Sequence, residues 1–203
     1  MTSDAVLDLF RSSGALLEGH FRLSSGLHSN GYLQCALVLQ HPNHAEALGR
    51  ALAERVRALN LRVQAVISPA LGGLIIGHEV ARALGVRAIF AERQEGVLTL
   101  RRGFTIAPGE RMLVVEDVVT TGGSTRETMD VATANGAKIV AAAAIIDRGV
   151  NVDLGVPFTA LAKVSFPTWP ADRIPDWLAA IPVTKPGSRP GAAGTGAAGA
   201  ARR

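Results

Sequence analysis

Residues 112–127 read MLVVEDVVTTGGSTRE, and this segment constrains the fold of the 203-residue chain more than any other. The apolar run Met112–Val115 predicts a buried strand that ends in two adjacent carboxylates, Glu116 and Asp117. A loop rich in Thr, Gly and Ser then runs into a helix over 121–135, closed by Gly136 as its C-cap. Gly122 and Gly123 let the backbone turn so that successive N–H groups converge. Thr120, Thr121, Ser124 and Thr125 add hydroxyl donors at the positive end of the helix. Together these features predict a pocket for a phosphate dianion. The acids beside it can accept hydrogen bonds from vicinal sugar hydroxyls or hold Mg²⁺ through oxygen, so a phosphorylated sugar suits the segment better than bare phosphate. A plainer reading has Glu116 and Asp117 capping the helix and TTGGST as a turn, but solvation alone does not require both acids at that end of a strand. The segment lacks the Lys of GxxxxGK[ST] and the spacing of GxGxxG, which argues against P-loop ATPases and dinucleotide dehydrogenases.

The flanking sequence alternates β-branched runs with helical patterns. Strands are predicted at Val63–Ser68, Arg87–Ala91, Lys138–Ile146 and Phe158–Val164. A helix over Leu74–Leu84 opens at Gly72-Gly73, and a turn-rich segment carries Gly96 and Gly103. Upstream, Asp4–Ser13 reads as a short helix; after Pro42, Ala45, Leu48, Leu52, Val56 and Leu59 recur at helical spacing. Runs such as MLVV and IVAAAAII lack alternation, as strands covered on both faces do. The expected fold is α/β: a doubly wound, mostly parallel sheet with flanking helices over roughly residues 60–165. Ligands of such sheets sit at the carboxyl ends of the strands.

Composition narrows the function classes. The net charge of +4 is accounted for by Lys185, Arg189, Arg202 and Arg203, so residues 1–184 are formally neutral and offer no basic face for nucleic acid. The segment 185–203 is rich in Gly, Ala and Pro and reads as a disordered tail. Cys35 is the only cysteine, which excludes a disulfide within the chain and a thiolate-rich metal site and suits a reducing, cytoplasmic setting. No apolar run reaches the length of a membrane span. The histidines show no HExxH-type spacing; His28 is the one with a possible site role, and Cys35 reads as a small buried hydrophobe.

Glu116–Thr125, EDVVTTGGST, resembles the phosphoribosyl-pyrophosphate (PRPP) motif of type I phosphoribosyltransferases. Gly14–Pro42 resembles the N-terminal substrate-covering hood of orotate phosphoribosyltransferases, residues 68–84 that family's pyrophosphate-side loop and helix, and residues 90–104 the catalytic-loop region of a lysine-poor bacterial branch. The resemblance implies a single domain over residues 1–184 with a hood at roughly 14–42, a homodimer, and Mg²⁺ carried with PRPP. It implies PRPP contacts at Glu116, Asp117, Val118, Val119, Thr120, Thr121, Gly122, Gly123 and Ser124, with the acids on the ribose hydroxyls and Asp117 also catalytic. Orotate contacts fall on Thr120, Arg148 and Tyr32. Leu33 departs from the aromatic expected beside Tyr32, and both residues have an alternative reading as core.

The lysines usual in this family are missing: the corresponding places read Ser24, Leu71-Gly72 and the lysine-free stretch Glu92–Gly103, and the chain's three lysines, Lys138, Lys163 and Lys185, lie elsewhere. Arg93 and one of Arg101 and Arg102 are the expected replacements. A guanidinium stays charged and gives no proton, so they are expected to act as electrostatic stabilisers of the pyrophosphate leaving group. Two other classes also fit the sequence: a phosphoribosyltransferase for another base, and a non-catalytic regulator that senses PRPP or a nucleotide.

Overall fold

A computed structural model describes residues 1–23, 25–149 and 152–185. In chain order the elements are α1 (Ser3–Ser12), β1 (Leu16–Arg22), β2 (His28–Leu33), α2 (Cys35–Leu39), α3 (Pro42–Arg57), β3 (Ala65–Pro69), α4 (Gly73–Leu84), β4 (Arg87–Gln94), β5 (Val97–Leu100), β6 (Arg111–Val119), α5 (Gly123–Ala134), β7 (Lys138–Asp147), β8 (Phe158–Lys163), β9 (Thr168–Trp169), α6 (Asp176–Ala179) and β10 (Val183–Thr184). The chain divides into two compact units, one of residues 1–17 and 33–166, the other of residues 18–32 and 167 onward. The tail expected over 185–203 lies outside the described residues from 186 on, as does Ser24. No helix among the described residues is long and apolar enough to cross a membrane.

The larger unit is the doubly wound α/β sheet, ordered β5-β4-β3-β6-β7-β8. β4, β3, β6, β7 and β8 pair in parallel, and β5 is antiparallel to β4. Alternate residues of each central strand enter separate cores. Val66, Leu113, Val115, Ala141, Ala143 and Ile145 pack with α1 to α4. Ala65, Ile67, Met112, Val114 and Ala142 pack on the other face with Ala132 of α5. Both faces are covered, which explains the unalternating runs.

Three local expectations are corrected. β6 does not end at Glu116 but continues to Val119, because Val118 and Val119 pair with Ile146 and Asp147 of β7. The turn-rich segment after residue 94 contains a hairpin strand, β5, whose Val97–Leu100 pairs with Ala91–Gln94. α5 starts at Gly123 rather than Thr121, since Gly122 takes φ 77° and turns the chain just before the first helical residue; its C-cap is Asn135, with Gly136 following at φ 95°.

The smaller unit is a sheet in the order β10-β1-β2-β9. Its edge partners are only two residues long. His20 pairs across with Val183, and His28 with Trp169. His20 Nε2 and His28 Nδ1 lie 2.6 Å apart, and His20 Nδ1 is 3.0 Å from the Ile181 carbonyl. That carbonyl can only accept, so His20 Nδ1 carries the proton of this contact. His28 is thus engaged inside this unit. Burial, then the neighbouring charges of His20 and Arg22, lower its affinity for a proton.

Candidate active site

The chain leaves β3 through α4 to β4 on one side and leaves β6 through α5 to β7 on the other, so the adjacent carboxyl ends of β3 and β6 open a crevice. A cleft of about 200 Å³ lies there, lined by Ala70 and Gly72 after β3, Arg93 of the hairpin, Glu116 and Asp117 of β6, and Ser124 of α5. A wider groove of about 340 Å³ runs beside Arg50, Arg57 and Arg82 at the opposite end of α4. Its guanidiniums are already taken by Glu46, Glu79 and the Ala83 carbonyl.

The register of β6 sets the two acids apart. Glu116 is 5% exposed and accepts a hydrogen bond from Ser124 Oγ at 2.6 Å. Burial, reinforced by the Asp117 charge, pushes its carboxyl from 4.5 up to about 8, so it keeps its proton at neutral pH in the ligand-free protein. Asp117 Oδ1 accepts the Val118 N–H at 2.8 Å, and the buried Cys35 thiol neighbours the same side chain and favours its charged form. Burial raises the Asp117 carboxyl as well. Its other boundary is Gly72, where a Cβ would stand 2.8 Å from both carboxylate oxygens.

Beyond the acids, Thr120 and Thr121 are exposed at the turn, and no side chain caps α5 at Gly122. The first-turn N–H groups of α5 are therefore left for an anion. Arg148 is placed beside this loop by its own N–H, which donates to the Val119 carbonyl at 2.8 Å. Its guanidinium lies over the ring of Phe166, 5.1 Å from the centroid.

The arginines of the hairpin separate. Arg93 lines the cleft, donates to the Gly96 carbonyl at 2.6 Å, and pairs with Glu127 of α5 at 2.5 Å. Arg102 grips Glu92 with two hydrogen bonds of 2.7 and 2.9 Å, and Arg101 lies 3.8 Å from the same acid.

The family model described as phosphoribosyl transferase domain matches residues 36–154. An orotate phosphoribosyltransferase of Heliobacterium modesticaldum is 55% identical over 190 residues, covering 93% of this chain and all of the relative. The chain belongs to the orotate phosphoribosyltransferase family. The enzyme of that name from Erythrobacter litoralis is 54% identical over 93% of this chain and 99% of its own. Among solved structures, the orotate phosphoribosyltransferase of Aeropyrum pernix superposes with a TM-score of 0.67 at 26% identity, covering 78% of this chain and 93% of that one.

Of the positions that the resemblance to orotate phosphoribosyltransferases implies, Glu116, Asp117, Val118, Ser124 and Arg93 share one cleft. Val119 is buried, and Thr120 to Gly123 form the adjoining loop. Leu33 is core, 5% exposed. Tyr32 belongs to the smaller unit, with its ring 5.8 Å from that of Phe21. Sequence reasoning missed three residues. Cys35 is buried as expected, yet its thiol neighbours a site carboxylate rather than serving only as a small hydrophobe. Phe166 under Arg148 carries no motif, and Gly72 reads in sequence only as a helix-opening glycine; a contact between distant segments reveals their parts in the site.

Proposed function

We propose that this chain transfers the 5-phosphoribosyl group of PRPP to N1 of orotate, giving orotidine 5′-monophosphate and pyrophosphate, in pyrimidine nucleotide synthesis. The observation that carries the reading is the juxtaposition of Asp117, an uncapped helix N-terminus and Arg93 around one cleft. Asp117 accepts hydrogen bonds from the ribose hydroxyls and holds negative charge near C1, where positive charge develops as the bond to pyrophosphate breaks ahead of the bond to N1. The Thr120–Ser124 loop gives its N–H and hydroxyl groups to the 5-phosphate. Arg93, which lines the cleft, exchanges its Glu127 partner for the leaving pyrophosphate and stabilises it as its charge grows. The planar Arg148 guanidinium, placed beside the loop, has the shape to pair with the orotate carboxylate or imide, with Thr120 on the same loop. The protein thereby supplies orientation and two preset charges of opposite sign.

The donor set fits Mg²⁺. No cluster of three His, Cys, Asp or Glu side chains occurs among the described residues, while two adjacent carboxylates line the cleft. Mg²⁺ prefers to keep water and substrate phosphate oxygens and to take one or two carboxylates, so Asp117 would hold PRPP-bound Mg²⁺, joined by Glu116 once the ion displaces its proton. Bound there, the ion would supply positive charge to the pyrophosphate oxygens. The assembly proposed is a homodimer in the cytoplasm.

Two substitutions separate the roles. Arg93→Ala is expected to lower kcat about 10- to 100-fold, the worth of one charge-assisted hydrogen bond made to the leaving group, and Arg102→Ala, which does not line the cleft, to lower it less. Unchanged turnover in both removes the arginine replacement from the account. Phe166→Leu is expected to raise KM for orotate roughly 2- to 30-fold through the lost cation–π contact and to leave KM for PRPP alone. Equal changes in both constants contradict the assignment of Arg148 to the base. The reading as a whole is tested by comparing turnover on orotate, uracil and the purine bases at fixed PRPP. Orotate is expected to be the preferred acceptor by far, and preference for another base overturns it.

A further inference from the structure

Arg126 lies in the first turn of α5, where its own N–H donates to the Gly122 carbonyl at 2.9 Å. Its side chain turns back over the loop: Nη1 donates to the Thr121 carbonyl at 2.8 Å and Nη2 to the Asp153 carbonyl at 2.5 Å. Thr121 precedes α5 and Asp153 precedes β8, so one planar fork ties the two connections that border the phosphate loop. The outer side of the loop is tightly packed as well. A Cβ on Gly122 would meet Leu154 Cδ2 at 2.8 Å, Val152 Cγ1 at 3.0 Å and Arg126 Nη1 at 3.2 Å.

Peptide planarity converts this tie into a statement about donors. The Thr121 carbonyl and the Gly122 N–H belong to one trans peptide and point in opposite directions. Holding the carbonyl on Arg126 turns that N–H away from the guanidinium. The positive φ at Gly122 then leads directly into the first N–H groups of α5.

We propose that Arg126 is a positioning residue for PRPP: it straps the Thr121 carbonyl to the Asp153 carbonyl and so presets the loop peptide that gives its N–H to the 5-phosphate. The proposal deepens the reading of the loop as the 5-phosphate site and rests on it. Other arginines of the chain reach one main-chain carbonyl, as Arg57 does at Ala83; Arg126 places its two Nη groups on carbonyls of two different connections, which makes it a tie between them. A lysine cannot reproduce the fork, because an ammonium lacks its fixed planar pair of donors.

The test combines steady-state kinetics with calorimetric PRPP binding on Arg126→Ala and Arg126→Lys. In Arg126→Ala the KM and Kd for PRPP are expected to rise about tenfold, while kcat and the KM for orotate stay within about twofold. Millimolar guanidinium is expected to restore the PRPP constants, and Arg126→Lys to fall between the two. Unchanged PRPP constants in a folded Arg126→Ala protein overturn the proposal. So does a joint shift of kcat, both KM values and melting temperature that guanidinium does not reverse. If Arg126→Ala fails to fold, Arg126→Lys decides alone: PRPP binding equal to the wild type refutes the strap, and weakened binding at unchanged orotate KM supports it. Failure of the functional reading is distinguishable, since it shows as a wild-type protein that binds PRPP without turnover.

Discussion

Asp117→Asn is expected to lower kcat/KM for PRPP about 100- to 1000-fold, because it weakens two charge-assisted hydrogen bonds to the ribose and removes the negative charge nearest C1. The carboxylate lines the cleft and is held by the Val118 N–H, with the buried Cys35 thiol beside it. Asparagine fills the same space without burying a charge, so the melting temperature is expected to hold or rise while activity falls. Gly72→Ala should reproduce much of this loss with Asp117 intact. Its Cβ would stand 2.8 Å from both carboxylate oxygens, and the short, anchored side chain can yield only by leaving its position. The two effects share one cause, so the double variant is expected to be little worse than Asp117→Asn alone. Additive losses, or a Gly72→Ala enzyme with wild-type kinetics, contradict the placement of Asp117 on the ribose.

The second large effect is on stability as a function of pH. Glu116 has a folded-state affinity for its proton near 8 against an ordinary value of 4.5, caused first by burial and then by the Asp117 charge. A carboxyl raised on folding contributes stability that is complete below its unfolded value and is lost as pH rises through the folded one. The window therefore runs from about 4.5 to about 8, and a shift of this size corresponds to roughly 5 kcal/mol. The ligand-free protein is expected to lose on the order of 10 °C in melting temperature between pH 5 and pH 9. Asp117 is displaced in the same direction by burial and adds to the slope. Glu116→Gln, which keeps a partner for Ser124, should flatten most of it. A melting temperature that is level across this range, or equal slopes in the two proteins, contradicts the buried protonated state.

Much of the larger unit is legible in the sequence because its strands are covered on both faces. The runs MLVV and IVAAAAII announce β6 and β7, and the Gly72-Gly73 and TTGGST signals place the two loops that flank the cleft. The unread parts share a physical reason. β5 is a short edge strand with one buried residue, so nothing in Val97–Leu100 separates it from a loop. β1 and β2 carry Gly and His in place of an alternating apolar pattern, and their partners β9 and β10 are two residues long. At the site, the acids and the phosphate loop are local in sequence and were readable. The groups that aim them are not local: Cys35 and Gly72 reach Asp117, Phe166 reaches Arg148, and Arg126 joins Thr121 to Asp153 across a strand.

The central claim is tested most directly by mixing the protein with Mg²⁺, PRPP and orotate and following orotate absorbance together with released pyrophosphate. The account predicts a fall in orotate matched mole for mole by pyrophosphate, with the rate reduced in Arg93→Ala and nearly abolished in Asp117→Asn. No loss of orotate while PRPP still binds would contradict it and leave a PRPP-sensing protein in its place.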